Sequence, residues 1–238
     1  MVALGYHALV TFLDPQHGWI QTSTLTSPLV LYRTTDSGRT WQTVPVKVGT
    51  IDGDPRGSLP QACVASLHLV FVSASRGFAY GGCSVAALPF LFRSDDAGAT
   101  WQRVLLPDAV VGQYIGGLLS FPTPTDGFVF FGGPGTNGAF YATHDGALTW
   151  VLGGRIPGTT SPGGNYNILQ FVDPLHGWVI GQPKSLRTVD GGQTWETLTP
   201  NPPMPSAEFV SLDEGFSWAA VPLYHTLDGG KTWQPVQP

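Results

Sequence analysis

The chain has 238 residues, a net charge of −5 and only 11% charged residues, where about 25% is usual. Its 42% hydrophobic and 12% aromatic content is enough to bury a core and excludes disorder. Three Lys, three Glu and two Met are too few strong helix formers for a helical bundle. The acidic balance excludes a basic nucleic-acid-binding surface. What remains is a turn-dense, β-rich chain with 31 Gly and 21 Pro.

The N-terminal residues Met1–His7 carry no basic stretch, and Asp14-Pro15 breaks the mildly apolar run that follows. No signal peptide is visible, which fits a cytoplasmic protein or a domain of a longer exported one. No run of about 18 apolar residues exists, so membrane insertion is not expected. Four short apolar runs bounded by Gly, Pro, Asp or Ser then recur five times. They give approximate repeats at 8–46, 67–105, 118–153, 168–198 and 207–236. In the fourth, strands are expected at Ile168–Val172, Gly177–Gly181, Ser185–Thr188 and Thr194–Leu198.

Each repeat carries two markers in fixed order. The first is Gly-Trp or Gly-Phe, at Gly18-Trp19, Gly77-Phe78, Gly127-Phe128, Gly177-Trp178 and Gly215-Phe216. The second is [ST]-x-D-x-G-x-T-W, which places Asp36 before Trp41, Asp96 before Trp101, Asp145 before Trp150, Asp190 before Trp195 and Asp228 before Trp233. Successive box Trp residues are 60, 49, 45 and 38 residues apart. A repeat of 40–50 residues with four strands is a propeller blade. The fold class expected is therefore all-β: a five-bladed β-propeller of four-stranded blades, one domain over 1–238, monomeric if the ring closes. In each box the Asp accepts backbone N–H bonds to fix a turn, the Gly supplies its left-handed conformation, and the Trp wedges into the fourth strand. Ala147 replaces that Gly once and has to strain or reshape its turn. Each fourth strand is expected to be of similar length, Thr232–Val236 being the last.

These motifs resemble the Asp-box, or bacterial neuraminidase repeat. The paired markers resemble the repeats of the photosystem II stability/assembly factor family and related propellers, over essentially all of residues 8–236. The resemblance implies architecture more than activity, because Asp-boxes occur in sialidases, xyloglucan hydrolases, sorting receptors and assembly factors. It also implies that ligands sit on the face opposite the box turns. It favours an extracellular or cell-envelope location, and larger rings of about seven blades.

On that face the long segments are Lys47–Ser66 with Asp52, Asp54 and Arg56, Leu106–Gly117 with Asp108 and Tyr114, and Gly154–Asn167 with Arg155 and Tyr166. Glu208, near a channel-lining first strand, completes the candidate set. The three arginines, acid/base Asp and Tyr–Glu pair of a sialidase do not assemble. Arg33, Arg93 and Arg187 are equivalent repeat positions, and Arg155-Ile156-Pro157 lies between the third and fourth boxes, out of the place that family gives it. No metal or cofactor motif emerges; Asp52-Gly53-Asp54 lacks the further oxygens of a calcium loop. The expected function is a non-catalytic scaffold recognising a protein partner; the alternative is a carbohydrate-active protein, hydrolase or lectin, using the same face. Cys63 and Cys83 fall at the same end of one predicted hairpin, about three residues out of register. Two readings stay open: a disulfide, which argues for an oxidising compartment, or two small buried hydrophobes.

Overall fold

The computed structural model describes residues 7–23, 29–49, 57–60, 67–81, 90–107, 117–131, 138–156, 165–182, 184–219 and 222–237. Twenty of its strands form five four-stranded antiparallel meanders, and no helix occurs among the described residues. Blade 1 is β1 (His7–Phe12), β2 (Gly18–Ser23), β3 (Val30–Thr34) and β4 (Gln42–Val44). A two-residue parallel pair, β5 (Val48–Gly49) with β6 (Leu59–Pro60), follows it. Blade 2 is β7 (Leu67–Phe71), β8 (Gly77–Gly81), β9 (Phe90–Ser94) and β10 (Gln102–Arg103). Blade 3 is β11 (Gly117–Ser120), β12 (Gly127–Phe131), β13 (Gly138–Thr143) and β14 (Val151–Ile156). Blade 4 is β15 (Asn165–Phe171), β16 (Gly177–Gln182), β17 (Leu186–Thr188) and β18 (Glu196–Thr197). Blade 5 is β19 (Ser206–Phe209), β20 (Gly215–Trp218), β21 (Tyr224–Thr226) and β22 (Gln234–Pro235). The fold is a five-bladed β-propeller. The chain divides into two compact units, the first holding blades 1 and 2, the second blades 3 to 5.

The Gly-Trp/Phe marker has a steric cause. In blades 1, 2, 4 and 5 its Gly pairs across the hairpin with a Phe six residues earlier: Phe12↔Gly18, Phe71↔Gly77, Phe171↔Gly177 and Phe209↔Gly215. The Phe ring lies over the glycine, and a Cβ on Gly77 would meet the Phe71 ring at 2.5 Å. Gly127 stands in the same relation to Phe121, at 2.2 Å. The glycine lets the ring fold flat on its own sheet, covering backbone that a strand glycine otherwise exposes.

The other face of that ring receives the neighbouring blade. In the first unit Trp19 stacks on Phe71 at 3.9 Å, and Phe71 in turn meets Trp101 edge-on at 6.3 Å. In the second, Phe128 stacks on Phe171 at 3.6 Å and Trp178 on Phe209 at 3.9 Å. Trp195 and Trp233 take the edge-on place at 6.2 and 6.0 Å. Each such ring pair adds about 0.5–1.5 kcal/mol beyond the area it buries. Polar clips run alongside. Gln170 donates to the Phe209 carbonyl and accepts from the Phe209 N–H, both at 2.7 Å. Ser120 accepts from the Phe171 N–H at 2.9 Å.

Two expectations change. The fourth strands are not alike: β14 has six residues, β4 three, and β10, β18 and β22 two each. The box Trp ends the turn, one residue before the fourth strand, because its indole is held over that turn and not in the ladder. Trp101 shows this by donating to the Gly98 carbonyl at 2.8 Å.

Candidate functional site

The five [ST]-x-D-x-G-x-T-W segments build nearly the same turn. In the first, the Asp36 carboxylate accepts from the Thr40 N–H at 2.9 Å, the Thr40 hydroxyl at 2.6 Å and the Thr34 hydroxyl at 2.7 Å. Thr34 Oγ1 accepts from the Gly38 N–H at 3.0 Å. The same bonds recur around Asp96, Asp145, Asp190 and Asp228. Two successive residues take left-handed backbone; in the third box they are Gly146 and Ala147, at φ 70° and 64°. Ala147 therefore strains the turn without reshaping it, and its N–H still reaches Thr143 Oγ1 at 3.0 Å. An extra bond from the Leu148 N–H to Asp145, at 3.0 Å, adds support there.

These bonds set the carboxylate chemistry. The Thr40 hydroxyl and N–H hold Asp36 at a pKa of about 2. The Thr149 hydroxyl and N–H do the same for Asp145. Burial pushes Asp228 up, but the Thr232 hydroxyl and N–H outweigh it and bring it to about 2. Asp96 and Asp190 are also lowered, by the same donors against burial. Other carboxylates close turns or pair with histidine: Asp14 with His17, Asp173 with His176 and Asp126 with His144, each at 2.8 Å, and Glu214 with His225 at 3.0 Å. No group of three His, Cys, Asp or Glu suited to a metal ion occurs among the described residues. No described helix is long and apolar enough to cross a membrane.

Of the ligand-face candidates, Asp52, Asp54, Arg56, Asp108 and Tyr114 lie outside the described residues, as do Cys63 and Cys83. Arg155 belongs to β14, opposite Ala139 of β13. Tyr166 of β15 is half-buried and meets Phe130 edge-on at 5.6 Å, joining the core of the second unit; burial raises its pKa. Glu208 of β19 is exposed and pairs with Phe216 of β20. It precedes Phe209 as Gln170 precedes Phe171, so it occupies the blade-clip position. The described ends of the segment Lys47–Ser66 are held against blade 2. The Lys47 N–H donates to the Ala99 carbonyl at 3.4 Å, the Trp101 N–H to the Gly57 carbonyl at 3.1 Å, and Leu59 is fully buried.

A cleft of about 140 Å³ lies beside the blade 2 box, lined by Arg93, Asp95, Asp96, Thr100 and Gln102. Asp95 accepts from the Arg76 Nε at 2.8 Å and the Arg93 Nε at 3.0 Å, so its charge is already answered. The sequence reading missed the Phe12, Phe71, Phe121, Phe171 and Phe209 series. Its signal, a Phe six residues before each marker Gly, is present five times.

The family described as Photosynthesis system II assembly factor YCF48 matches residues 159–237, the last third of the chain. No curated protein matches the chain. Among solved structures, that of YCF48 bound to D1 peptide is 18% identical with a TM-score of 0.55, over 98% of this chain and 82% of that one. The Niastella koreensis GH74 enzyme is 14% identical with a TM-score of 0.55, over 92% of this chain but 36% of that one, so the chain spans about a third of its length. The Aleuria aurantia lectin with α-methyl-L-fucoside is 14% identical with a TM-score of 0.57, over 97% of this chain and 77% of that one. The chain is thus a β-propeller whose repeats resemble the bacterial neuraminidase repeat and whose last third resembles the photosystem II assembly factor family.

Proposed function

We propose that this chain is a non-catalytic binding propeller that recognises a protein segment, in the manner of an assembly factor. The supporting observation is that the box carboxylates are taken up in their own turns. Asp36, Asp145 and Asp228 are held ionised at a pKa of about 2 by their own turns. A general acid near neutral pH needs the opposite shift. The five turns are on this reading Asp-box turns, with the structural task of fixing the blade ends. The whole chain is one propeller domain. Its binding surface is the end opposite the boxes, with Asp52, Asp54, Arg56, Asp108, Tyr114, Arg155, Tyr166 and Glu208 as candidates. The likeness to YCF48 bound to D1 peptide supports a peptide ligand; the likeness to a fucoside-binding lectin supports a glycan as the second reading.

The test is fluorescence anisotropy with a labelled D1 peptide against its scrambled version, with a fucoside and xyloglucan titrated in parallel. Saturable binding of the peptide alone is the expected result. Glycoside turnover that Glu208→Gln abolishes, without peptide binding, would overturn the proposal in favour of a carbohydrate-active enzyme.

A further inference from the structure

The box end of blades 4 and 5, opposite the surface proposed above, carries a row of exposed aliphatic side chains. Leu175, in the turn between β15 and β16, is 53% exposed, Val189 of the blade 4 box 50% and Leu227 of the blade 5 box 70%. Contacts between the turns make them neighbours. The Gly191 N–H donates to the Leu175 carbonyl at 2.9 Å, which seats the Leu175 turn on the box that holds Val189. Arg187, two residues before Val189, packs over Gly229, two residues after Leu227; a Cβ on Gly229 would meet Arg187 Nη1 at 2.8 Å. The row therefore lies wholly within the second unit. Its exposure belongs to the turn tips and not to an uncovered blade face, because Val189 is exposed although blade 5 is already packed on blade 4 through the Trp178–Phe209 stack.

Nothing in the turns calls for aliphatic residues at these places. The position between the box Ser/Thr and the box Asp is exposed in all five blades and holds Thr35, Asp95 and His144 in the first three. All five turns nevertheless close with the same Thr-to-Asp bond. The position of Leu175 holds Gln16, Ser75 and Thr125 in blades 1 to 3, again exposed. Aliphatic side chains grouped at such tips serve no turn, and patches of this kind mark association sites. Around the row stand five carboxylates, Asp173, Asp190, Asp213, Glu214 and Asp228, with Arg187 and Lys231 as the cations of these turns. Asp190 and Asp228 are held by Thr hydroxyls and backbone N–H groups, which fix the carboxylates without cancelling their charge. Asp173 and Glu214 pair with His176 and His225, which are charged only when protonated. Asp213 is exposed and has no ion pair among the described residues.

We propose that this row is a second docking surface, taken by a basic amphipathic helix of a partner protein. The aliphatic face of the helix covers Leu175, Val189 and Leu227, and its Lys or Arg side chains reach the surrounding carboxylates. Charge specifies the occupant: the acidic rim repels an anionic lipid surface or an acidic segment and attracts a cationic one. The turns specify its backbone. Their N–H groups are already taken, that of Gly192 by Thr188 and that of Thr194 by Asp190, so they offer an incoming strand no ladder to extend. A helix docks through side chains alone. This end is separate from the one assigned above to the peptide ligand, so both can be occupied at once.

Fluorescence anisotropy with a labelled peptide of about four helical turns, Leu along one face and Lys along the other, tests this. Saturable binding that weakens as salt rises is the expected result. Leu175→Gln, Val189→Thr and Leu227→Thr, made together, give these turns the residues that blade 1 carries at the same positions, Gln16 and Thr35. The triple variant is therefore expected to fold, checked by circular dichroism, and to bind at least about tenfold more weakly. Asp213→Asn is expected to weaken binding and to lessen its salt dependence. Leu105→Gln, at an 83% exposed aliphatic of the first unit, is expected to leave binding unchanged. A wild type that does not bind the peptide overturns the proposal, as does a folded triple variant that binds like the wild type or a Leu105→Gln variant weakened as much. Equal binding of the same peptide with Glu in place of Lys overturns it too, as does binding to phosphatidylglycerol vesicles without binding to the peptide.

Discussion

Adding one methyl group at Gly177 and at Gly18 separates the Phe–Gly pair from the neighbour stacked on it. A Cβ at Gly177 would meet the Phe171 ring at 2.7 Å, and one at Gly18 would meet the Phe12 ring at 2.8 Å. The collisions are equal, but the room to relieve them is not. Phe171 is 4% exposed, with Phe128 stacked on its far face at 3.6 Å and Phe140 and Trp195 around it. Its ring cannot retreat, so Gly177→Ala incurs an overpacking cost of about 1–3 kcal/mol. Phe12 is 47% exposed and can swing outward at little cost. Against both stands the gain from a stiffer unfolded chain, about 0.4–1 kcal/mol for Gly→Ala. Neither glycine has positive φ, so no backbone penalty enters. The net is a loss of roughly 0–2.6 kcal/mol at Gly177 and a gain of about 0.4–1 kcal/mol at Gly18. At about 2–4 °C per kcal/mol for a chain of this size, Gly177→Ala lowers Tm by up to about 10 °C and Gly18→Ala raises it by about 1–4 °C. Thermal unfolding followed by circular dichroism measures both. Equal losses at the two sites would refute the argument that the stacked neighbour, and not the Phe–Gly pair itself, creates the constraint.

The box tryptophans are graded in the same way. Trp101→Ala, at a fully buried ring, is expected to cost about 3–5 kcal/mol and Trp41→Ala, half-buried, clearly less; denaturant midpoints at constant m-value check the order. Gly192→Ala places a methyl 2.2 Å from the Phe140 ring at φ 86° and is expected to be more damaging than any other box-glycine substitution. Ala147→Gly releases a left-handed alanine worth about 1–2 kcal/mol but loses a buried methyl worth about 0.8 kcal/mol, so its midpoint should move little. Acid acts through the box aspartates. Their folded pKa lies below the ordinary 3.8, so the unfolded chain takes up protons first; the stabilisation is present in full above that value and is lost as pH falls from 3.8 through about 2. Asp145→Asn is expected to flatten the pH dependence of stability over that window, and an unchanged slope would count against it.

The architecture was legible because its punctuation is local in sequence, each turn closing on residues two to four positions away. A turn that needs an ionised Asp, two left-handed residues and a Thr donor leaves the same letters in the chain each time. The fourth strands were less legible: β14 extends to six residues while β10 and β18 stop at two. The Phe series was written in the sequence as plainly as the boxes. It went unread because a Phe six residues before a Gly has no local partner; only the antiparallel register places them face to face. Glu208 illustrates the limit for function. Its type and exposure suggest an acid, yet its repeat position is that of Gln170 and Ser120, whose side chains tie one blade to the next.

That reassignment bears on where specificity resides. The framework positions are nearly all committed: box Asp to box Thr, marker Gly to Phe, clip side chains to the next blade's backbone. A ligand can be selected only by residues that the repeat leaves free to vary, namely the variable turn positions and the segments between its two markers and between blades. The spacing shows this directly. The marker aromatic and the box Trp are 22, 23 and 22 residues apart in the first three repeats but 17 apart in the last two, while the hairpin from Phe to Gly is six residues in all five. Length changes are thus excluded from the end that carries the packing device and confined to the connections beyond the second strand. Substitutions there should alter binding at constant stability, whereas substitutions in the Phe, Gly or fixed box positions should alter binding only in proportion to the folded fraction.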